Sequence, residues 1–249
     1  MKITILCENQ AGHKGAKLCL AEWGLSLYVQ TKDINLLFDT GHTGVYKHNA
    51  KQLGINLDPT HFIVLSHHHW DHTGGLRYHD FKAQKKLVLH PAIMAKLPIK
   101  EARKIKRDFQ IIPSAEPLEF SRGIYFLGEI PRQNSFEKGT FKNERMPDDS
   151  AVAIKTKKGA VIITGCSHSG ICNICEYAKK ITGQKIHAVI GGFHLFADDP
   201  KAVTGAIKYF KAEKPRFLYP MHCIDLPTLV RFHGEFGITK LSAGDKIKI

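Results

Sequence analysis

The chain has 249 residues, 43% of them hydrophobic and 24% charged, a globular balance that supports a large core without disulfides. No apolar run approaches the roughly 18 residues that a membrane span needs. The net charge of +13 suits a nucleic acid, an acidic membrane surface or a phosphorylated small molecule, with a lysine-rich solvated surface as the plain alternative.

Residues 1–8 alternate and reach an acid at once, which predicts a first strand and leaves no room for a signal peptide. A cytoplasmic protein is expected. Residues 25–30 and 34–38 read as paired strands around Thr31-Lys32-Asp33, and residues 45–53 as a helix ended by Gly54. Residues 62–65 form a short, wholly apolar run, as in a strand buried on both faces. A strand at 87–89, a helix after Pro91 and three short β-like runs between residues 109 and 127 follow. The densest basic patch, residues 100–107, has the spacing of the wet face of a helix.

Residues 128–148 lack periodicity and predict a long polar loop carrying Arg132, Lys138, Lys142 and Arg145. Residues 151–155 and 160–164 read as a second strand pair. Helix and strand then alternate: helix 171–181, strand 186–190, helix 200–211, strand 217–219, helix 225–236. Two short strands finish the chain. One domain over residues 1–249, built of layered sheets and helices, is expected.

Polar residues collect just past strand ends. His67, His69, Asp71 and His72 follow the strand at 62–65. Cys166 and His168 follow 160–164, His194 follows 186–190, and His222 and Cys223 follow 217–219. Asp39-Thr40-Gly41 follows 36–38. In α/β proteins this edge is where sites form. Alternate residues of an extended segment project together, so His67 and His69 can grip one metal ion, while Asp71 and His72 lie beyond a bend. Imidazole suits Zn and Fe. Thr73-Gly74-Gly75 is expected to let the backbone turn tightly. A solvated histidine-rich loop is the plain alternative. His168, His194 and His222 are weaker singly, and His222 is the best ligand among them because it ends the last central strand.

Six cysteines, Cys7 and Cys19 early and Cys166, Cys172, Cys175 and Cys223 late, do not make a disulfide framework and read as free thiols or metal ligands.

The stretches Gly24-Leu25-Ser26-Leu27, Leu37-Phe38-Asp39-Thr40-Gly41, Leu65 to Leu76, Thr164 to Gly170, Gly191 to Leu195 and Met221-His222-Cys223 resemble the metallo-β-lactamase superfamily, with its His-x-His-x-Asp-His run. The Gly-Cys-Ser-His and Gly-Gly-Phe-His pieces look closest to its dihydropteroate-synthase-related branch, which includes 7,8-dihydropterin-6-methyl-4-(β-D-ribofuranosyl)aminobenzene 5′-phosphate synthase. The resemblance implies an α/β fold, a four-layer αββα sandwich, and one or two divalent ions, Zn or Fe. His67 and His69 would hold the first, Asp71 and His72 the second. Cys166 stands where the superfamily has its bridging acid, and His222 matches the last histidine. The middle histidine, due shortly before residue 151, is absent, and Asp148, His168 and His194 are candidates to take its place. The expected metal ligands are therefore His67, His69, Asp71, His72, Cys166, His168 and His222.

The implied activity is metal-dependent hydrolysis or displacement on a small anionic substrate, phosphate-bearing or pterin-related. A bound ion lowers the pKa of water, and Asp71 is the candidate proton acceptor. For the synthase-like branch the implied chemistry is pterin–arylamine condensation with loss of pyrophosphate. Two alternatives remain open. One is a redox or sensor protein holding a 4Fe–4S cluster on Cys166, Cys172, Cys175 and Cys223, against which Cys172 and Cys175 are two small core residues. The other is a nuclease, although no aromatic-interleaved basic stripe is present and nucleic acid is not an expected partner.

Overall fold

The computed structural model describes residues 1–12 and 19–249, and the chain divides into two compact units, residues 1–113 with 241–249, and residues 114–240. Each unit has its own sheet. No helix among the described residues is long and apolar enough to cross a membrane.

The first unit carries β1 (Lys2–Cys7), β2 (Ser26–Gln30), β3 (Asn35–Phe38), β4 (Phe62–Val64), β5 (Lys85–Leu89), β6 (Phe109–Pro113) and the last strand, β13 (Lys246–Lys248). Their order is β13-β1-β2-β3-β4-β5-β6. The β13, β1, β2 and β3 pairings are antiparallel, and β3 through β6 run parallel. Parallel neighbours need crossovers. Helices α1 (Val45–Gln52), α2 (Trp70–Thr73), α3 (Pro91–Lys96) and α4 (Ile99–Asp108), with a 3-10 turn over Gly74–Tyr78, supply them. The carboxyl ends of β3 and β4 therefore lie side by side at one edge. Leu6, Leu37, Ile63, Leu65, Leu87 and Leu89 are fully buried in this unit's core. Only Ile105 of α4 is buried, so its basic residues do form a wet face.

The second unit carries β7 (Leu118–Ser121), β8 (Ile124–Phe126), β9 (Ala151–Thr156), β10 (Gly159–Thr164), β11 (Ile186–Gly192) and β12 (Phe217–Met221), in the order β12-β11-β10-β9-β8-β7. Here β10, β11 and β12 are parallel, so their carboxyl ends share an edge. Helices α5 (Ile171–Thr182), α6 (Pro200–Glu213) and α7 (Leu226–Phe236) follow the strands. The Asp199 and Asp225 carboxylates cap α6 and α7 by accepting from the Ala202 and Thr228 N–H groups at 3.2 and 3.0 Å, and Gly183 and Gly237 end α5 and α7 in the left-handed region.

Two sheets carrying helices match the expected α/β class. The expectation of two terminal strands is corrected to one, β13; before it Ala243 makes only an isolated bridge with Ala11. The bend after His69 is the short helix α2, and the tight turn expected at Thr73-Gly74-Gly75 is its junction with the 3-10 turn over Gly74–Tyr78. Gly74 and Gly75 are there for close approach: a Cβ would meet His42 O at 2.5 Å or Thr40 O at 2.0 Å.

Candidate metal centre

In the first unit, β3 and β4 deliver Asp39 and Ser66-His67 to one edge. Asp39 is fully buried and sits at φ 54°. Its Oδ1 accepts from the Ser66 N–H at 2.8 Å, and its Oδ2 accepts from the Ser66 hydroxyl at 2.7 Å and from His72 Nδ1 at 2.7 Å. His67 Nδ1 lies 2.9 Å from the same hydroxyl. The hydroxyl proton goes to the carboxylate, so His67 Nδ1–H donates to Ser66. One carboxylate thus places the ring proton of both His67 and His72 on Nδ1 and the coordinating lone pair on Nε2.

The rings of His67 and His69 lie 4.6 Å apart and those of His67 and His72 4.2 Å apart, so the run is brought together as its spacing predicts. His72 Nε2 faces Asp71 Oδ2 at 3.7 Å. Two donors each bonded to one ion at about 2.1 Å span such a separation, so the donor set fits a cation. The turn is fixed by backbone: Leu25 N–H donates to Asp71 O at 3.2 Å and Thr40 N–H to His72 O at 2.9 Å.

In the second unit, the carboxyl ends of β10, β11 and β12 deliver Cys166 and His168, then His194, then His222 and Cys223. Ser167, at φ 64°, reverses the chain between Cys166 and His168. Its hydroxyl donates to Gly192 O at 2.6 Å and lies 2.8 Å from Thr164 Oγ1. Asp149 is fully buried and accepts from the His168 N–H at 3.1 Å, the Ser169 N–H at 2.9 Å and the Ser169 hydroxyl at 2.5 Å. Burial pushes its carboxyl upward, and the Ser169 and His168 hydrogen bonds oppose that. Burial pushes the Cys223 thiol up as well, but the hydrogen bond with Cys166 and the His222 and His194 rings bring it down to about 6. Cys166 and His222 are both buried.

Cys172 and Cys175 lie elsewhere, in the apolar core of this unit with Ile171, Ile174 and Ala178. Burial, then the Glu137 carboxylate, push both thiols well up, which favours packed, protonated sulfur. Neither joins a set of three or more metal donors among the described residues. Among the described residues no cysteine is in a disulfide.

The 128–148 loop is built rather than slack. The Glu137 carboxylate accepts from the Cys172 and Asn173 N–H groups at the start of α5, at 2.9 and 3.2 Å. Arg132 binds the carbonyls of Ile130, Gly139 and Met146. Lys138 pairs with Asp199 at 3.0 Å and Arg145 with Glu129 at 2.7 Å. Three of the four basic residues of this loop are therefore engaged inside the unit. The roles of Asp39, Ser66, Glu137 and Asp149 were not assigned from sequence. A buried-type position for an acid just after an apolar strand was the available signal for Asp39.

A sequence profile described as the metallo-beta-lactamase superfamily matches residues 24–222. The chain is 31% identical, over all of its length and 96% of the relative's, to 7,8-dihydropterin-6-methyl-4-(beta-D-ribofuranosyl)-aminobenzene-5'-phosphate synthase of Methanocaldococcus jannaschii. An uncharacterized protein of the same organism is 30% identical over 92% of this chain and 93% of its own. Among solved structures, Tm1679, described as a metal-dependent hydrolase of the beta-lactamase superfamily, is 26% identical with a TM-score of 0.85 and covers 100% of this chain and 99% of that one. Zn(2+)-bound PqqB from Methylobacterium extorquens shares the fold at a TM-score of 0.67 and 14% identity, covering 100% of both chains. A histidine run held by one buried carboxylate, a family profile spanning most of the chain and a full-length relative agree, and the chain belongs to the metallo-β-lactamase superfamily.

Proposed function

We propose that this protein is a metal-dependent hydrolase acting on a small, phosphate-bearing substrate. The observation that carries the proposal is the Asp39 network, which presets the Nε2 lone pairs of His67 and His72 while His72 Nε2 faces the Asp71 carboxylate. In this assignment the first unit contributes His67, His69, Asp71 and His72, and the second unit contributes Cys166, His168 and His222. His168 then takes the place of the missing middle histidine, rather than Asp148 or His194. Imidazoles with a thiolate favour Zn or Fe over Mg or Mn.

When bound, the ion supplies Lewis-acid charge to the phosphoryl oxygen and activates water near neutral pH. The chain's own groups do the rest. Asp39 and Ser66 fix the ligand tautomers, and Asp149 pins the 166–169 turn. Asp71 would accept the proton of the attacking water as the new P–O bond forms and the ester P–O bond breaks, the leaving oxygen taking a proton from Asp71 or from solvent. The positive net charge of the chain supports an anionic small molecule as substrate, and its six cysteines held as thiols support a reducing, cytoplasmic compartment. The pterin-related name of one relative supports a heterocyclic phosphate among the candidates.

The test is metal content by mass spectrometry with turnover of a phosphoester panel, on wild type and His69→Ala. The variant is expected to lose metal and at least tenfold in rate. Unchanged occupancy and turnover would refute the assignment, and turnover confined to RNA would replace it with a nuclease.

A further inference from the structure

We infer that a cavity in the second unit, walled by Phe141, His194 and Phe196, is a subsite for a planar aromatic ring on the substrate. This deepens the hydrolase proposal and rests on it for the identity of the reacting group. The cavity has a volume of about 320 Å³, and His168, Lys138 and Lys142 also line it, as do Glu137, Asp198 and Asp199, with Lys138 paired to Asp199 at 3.0 Å. That is the lower end of small-molecule sites, about 300–1,000 Å³, and suits one ring system rather than an extended chain.

The wall is a continuous row of rings. Phe141 lies 4.8 Å from His168, His168 lies 4.4 Å from His194, and His194 lies 5.1 Å from Phe196. Neither Phe141 nor Phe196 belongs to the apolar core cluster of the unit. Both are half-buried, so their ring surface is spent on the cavity rather than on the core. Aromatic rings prefer tilted, edge-on or offset partners, and a ligand ring entering this row completes such contacts.

Phe141 is held in place by its own turn. Phe141 and Glu144 exchange both backbone hydrogen bonds at 2.9 Å, and Lys142 and Asn143 between them sit at φ 49° and 66°. Two consecutive positive φ values make a type I′ hairpin tip, a rigid unit. Glu137 and Arg132 anchor the chain before it. His194 sits at φ 49°, a backbone that glycine would adopt at lower cost. The imidazole is kept there despite that. Lys142 stands over the Phe141 ring at 5.4 Å, at the exposed tip of the hairpin. It places a cation beside the ring subsite for an anionic substituent. With His168 in the same wall, a ring seated here lies beside one of the proposed ligands.

The test uses 1-naphthyl phosphate as substrate, 1-naphthyl phosphonate as an unreactive ligand and an alkyl phosphate of similar charge. Wild type, Phe141→Ala, Phe141→Tyr and His69→Ala are compared by kinetics and by fluorescence titration. Phe141→Ala is expected to weaken naphthyl binding and raise its KM about tenfold, with the alkyl substrate unchanged and Phe141→Tyr restoring the wild-type value. His69→Ala is expected to lose turnover yet still bind the phosphonate. Equal effects of Phe141→Ala on aryl and alkyl substrates, or no naphthyl binding by wild type, overturn the subsite while leaving the hydrolase proposal standing. Phe141-dependent phosphonate binding without hydrolysis of any phosphate supports the subsite and removes the hydrolase proposal.

Discussion

Replacing Asp39 separates the structural role of its carboxylate from its role in setting tautomers. Asp39→Ala removes the acceptor of three buried donors, the Ser66 N–H, the Ser66 hydroxyl and His72 Nδ1, and leaves the hydroxyl only its contact with His67 Nδ1 at 2.9 Å. Each unpaired group costs about 1–3 kcal/mol. Alanine at φ 54° adds about 1–2 kcal/mol of backbone strain. Neighbouring losses do not simply add, and a net loss of about 3–5 kcal/mol is expected. Asp39→Asn behaves differently. Asparagine tolerates the left-handed backbone, its oxygen still accepts from the Ser66 N–H, and its amide can donate to the Ser66 hydroxyl. The amide also faces His72 Nδ1, which must now accept. The ring proton moves to Nε2, the nitrogen that faces Asp71, and a protonated nitrogen cannot coordinate. Zinc affinity, measured by competition with a fluorescent chelator, is expected to fall about 10- to 100-fold. Urea unfolding of the chelator-treated protein should place Asn within about 1–2 kcal/mol of wild type, well above Ala. Zinc affinity for the Asn variant within twofold of wild type would sink the tautomer argument.

Other substitutions test the frame around the site. Gly75→Ala puts a Cβ 2.0 Å from Thr40 O, backbone against backbone, and should cost about 2–4 kcal/mol in thermal unfolding; a neutral result would mean that the 74–78 turn shifts freely. Cys175→Ser buries a hydroxyl in an apolar core and should cost about 1–3 kcal/mol without changing metal content. Loss of iron and acid-labile sulfide from that variant would instead establish a cluster. Burial raises the Glu137 carboxyl above its ordinary 4.5, against the hydrogen bonds from Cys172, Asn134 and Asn173. The folded state therefore binds that proton more tightly than the unfolded chain. Its contribution to stability is fully present below about pH 4.5 and is lost as pH rises through the folded value. The stability of wild type relative to Glu137→Gln should therefore fall with rising pH in that window, and a pH-independent difference between the two would contradict the burial argument.

Much of this was legible in the sequence because strands and helices carry their period in side-chain character. The run at 62–65 and the acid, imidazoles and thiols beyond five strand ends needed no coordinates. What was missed depends on pairs far apart in the chain. Asp39 and His72 are 33 residues apart, and no spacing rule links an acid after one strand to an imidazole in the crossover after the next. Parallel pairing of β3 and β4 does. The 128–148 loop looked formless for a similar reason. Its order comes from Arg132 on carbonyls and Glu137 on the start of α5, side-chain-to-backbone bonds that leave no hydrophobic period. Gly74 and Gly75 open a 3-10 turn, and what their turn reading left out is the close approach of the His42 and Thr40 carbonyls.

Backbone strain separates the site from the ordinary turns. Asp39, Ser167, His194 and His222 all have positive φ, from 49° to 64°, and lie one to three residues past the ends of strands β3, β10, β11 and β12. Each conformation costs a residue with a Cβ about 1 kcal/mol, and glycine would take it more cheaply. Asp39 and Ser167 offset the cost with buried hydrogen bonds to Ser66, His72 and Gly192. His194 offsets part of it in the ring row with His168 and Phe196. His222 and His194 are bulky for this backbone region, so packing economy does not select them. Turn residues with the same backbone, Asn143 and Lys214, are exposed or at a helix end, where any polar side chain serves. Under the proposed assignment, the side chains kept at these strained positions against a cheaper glycine either hold the ligands, as Asp39 and Ser167 do through their hydrogen bonds, or carry an imidazole, as His194 and His222 do.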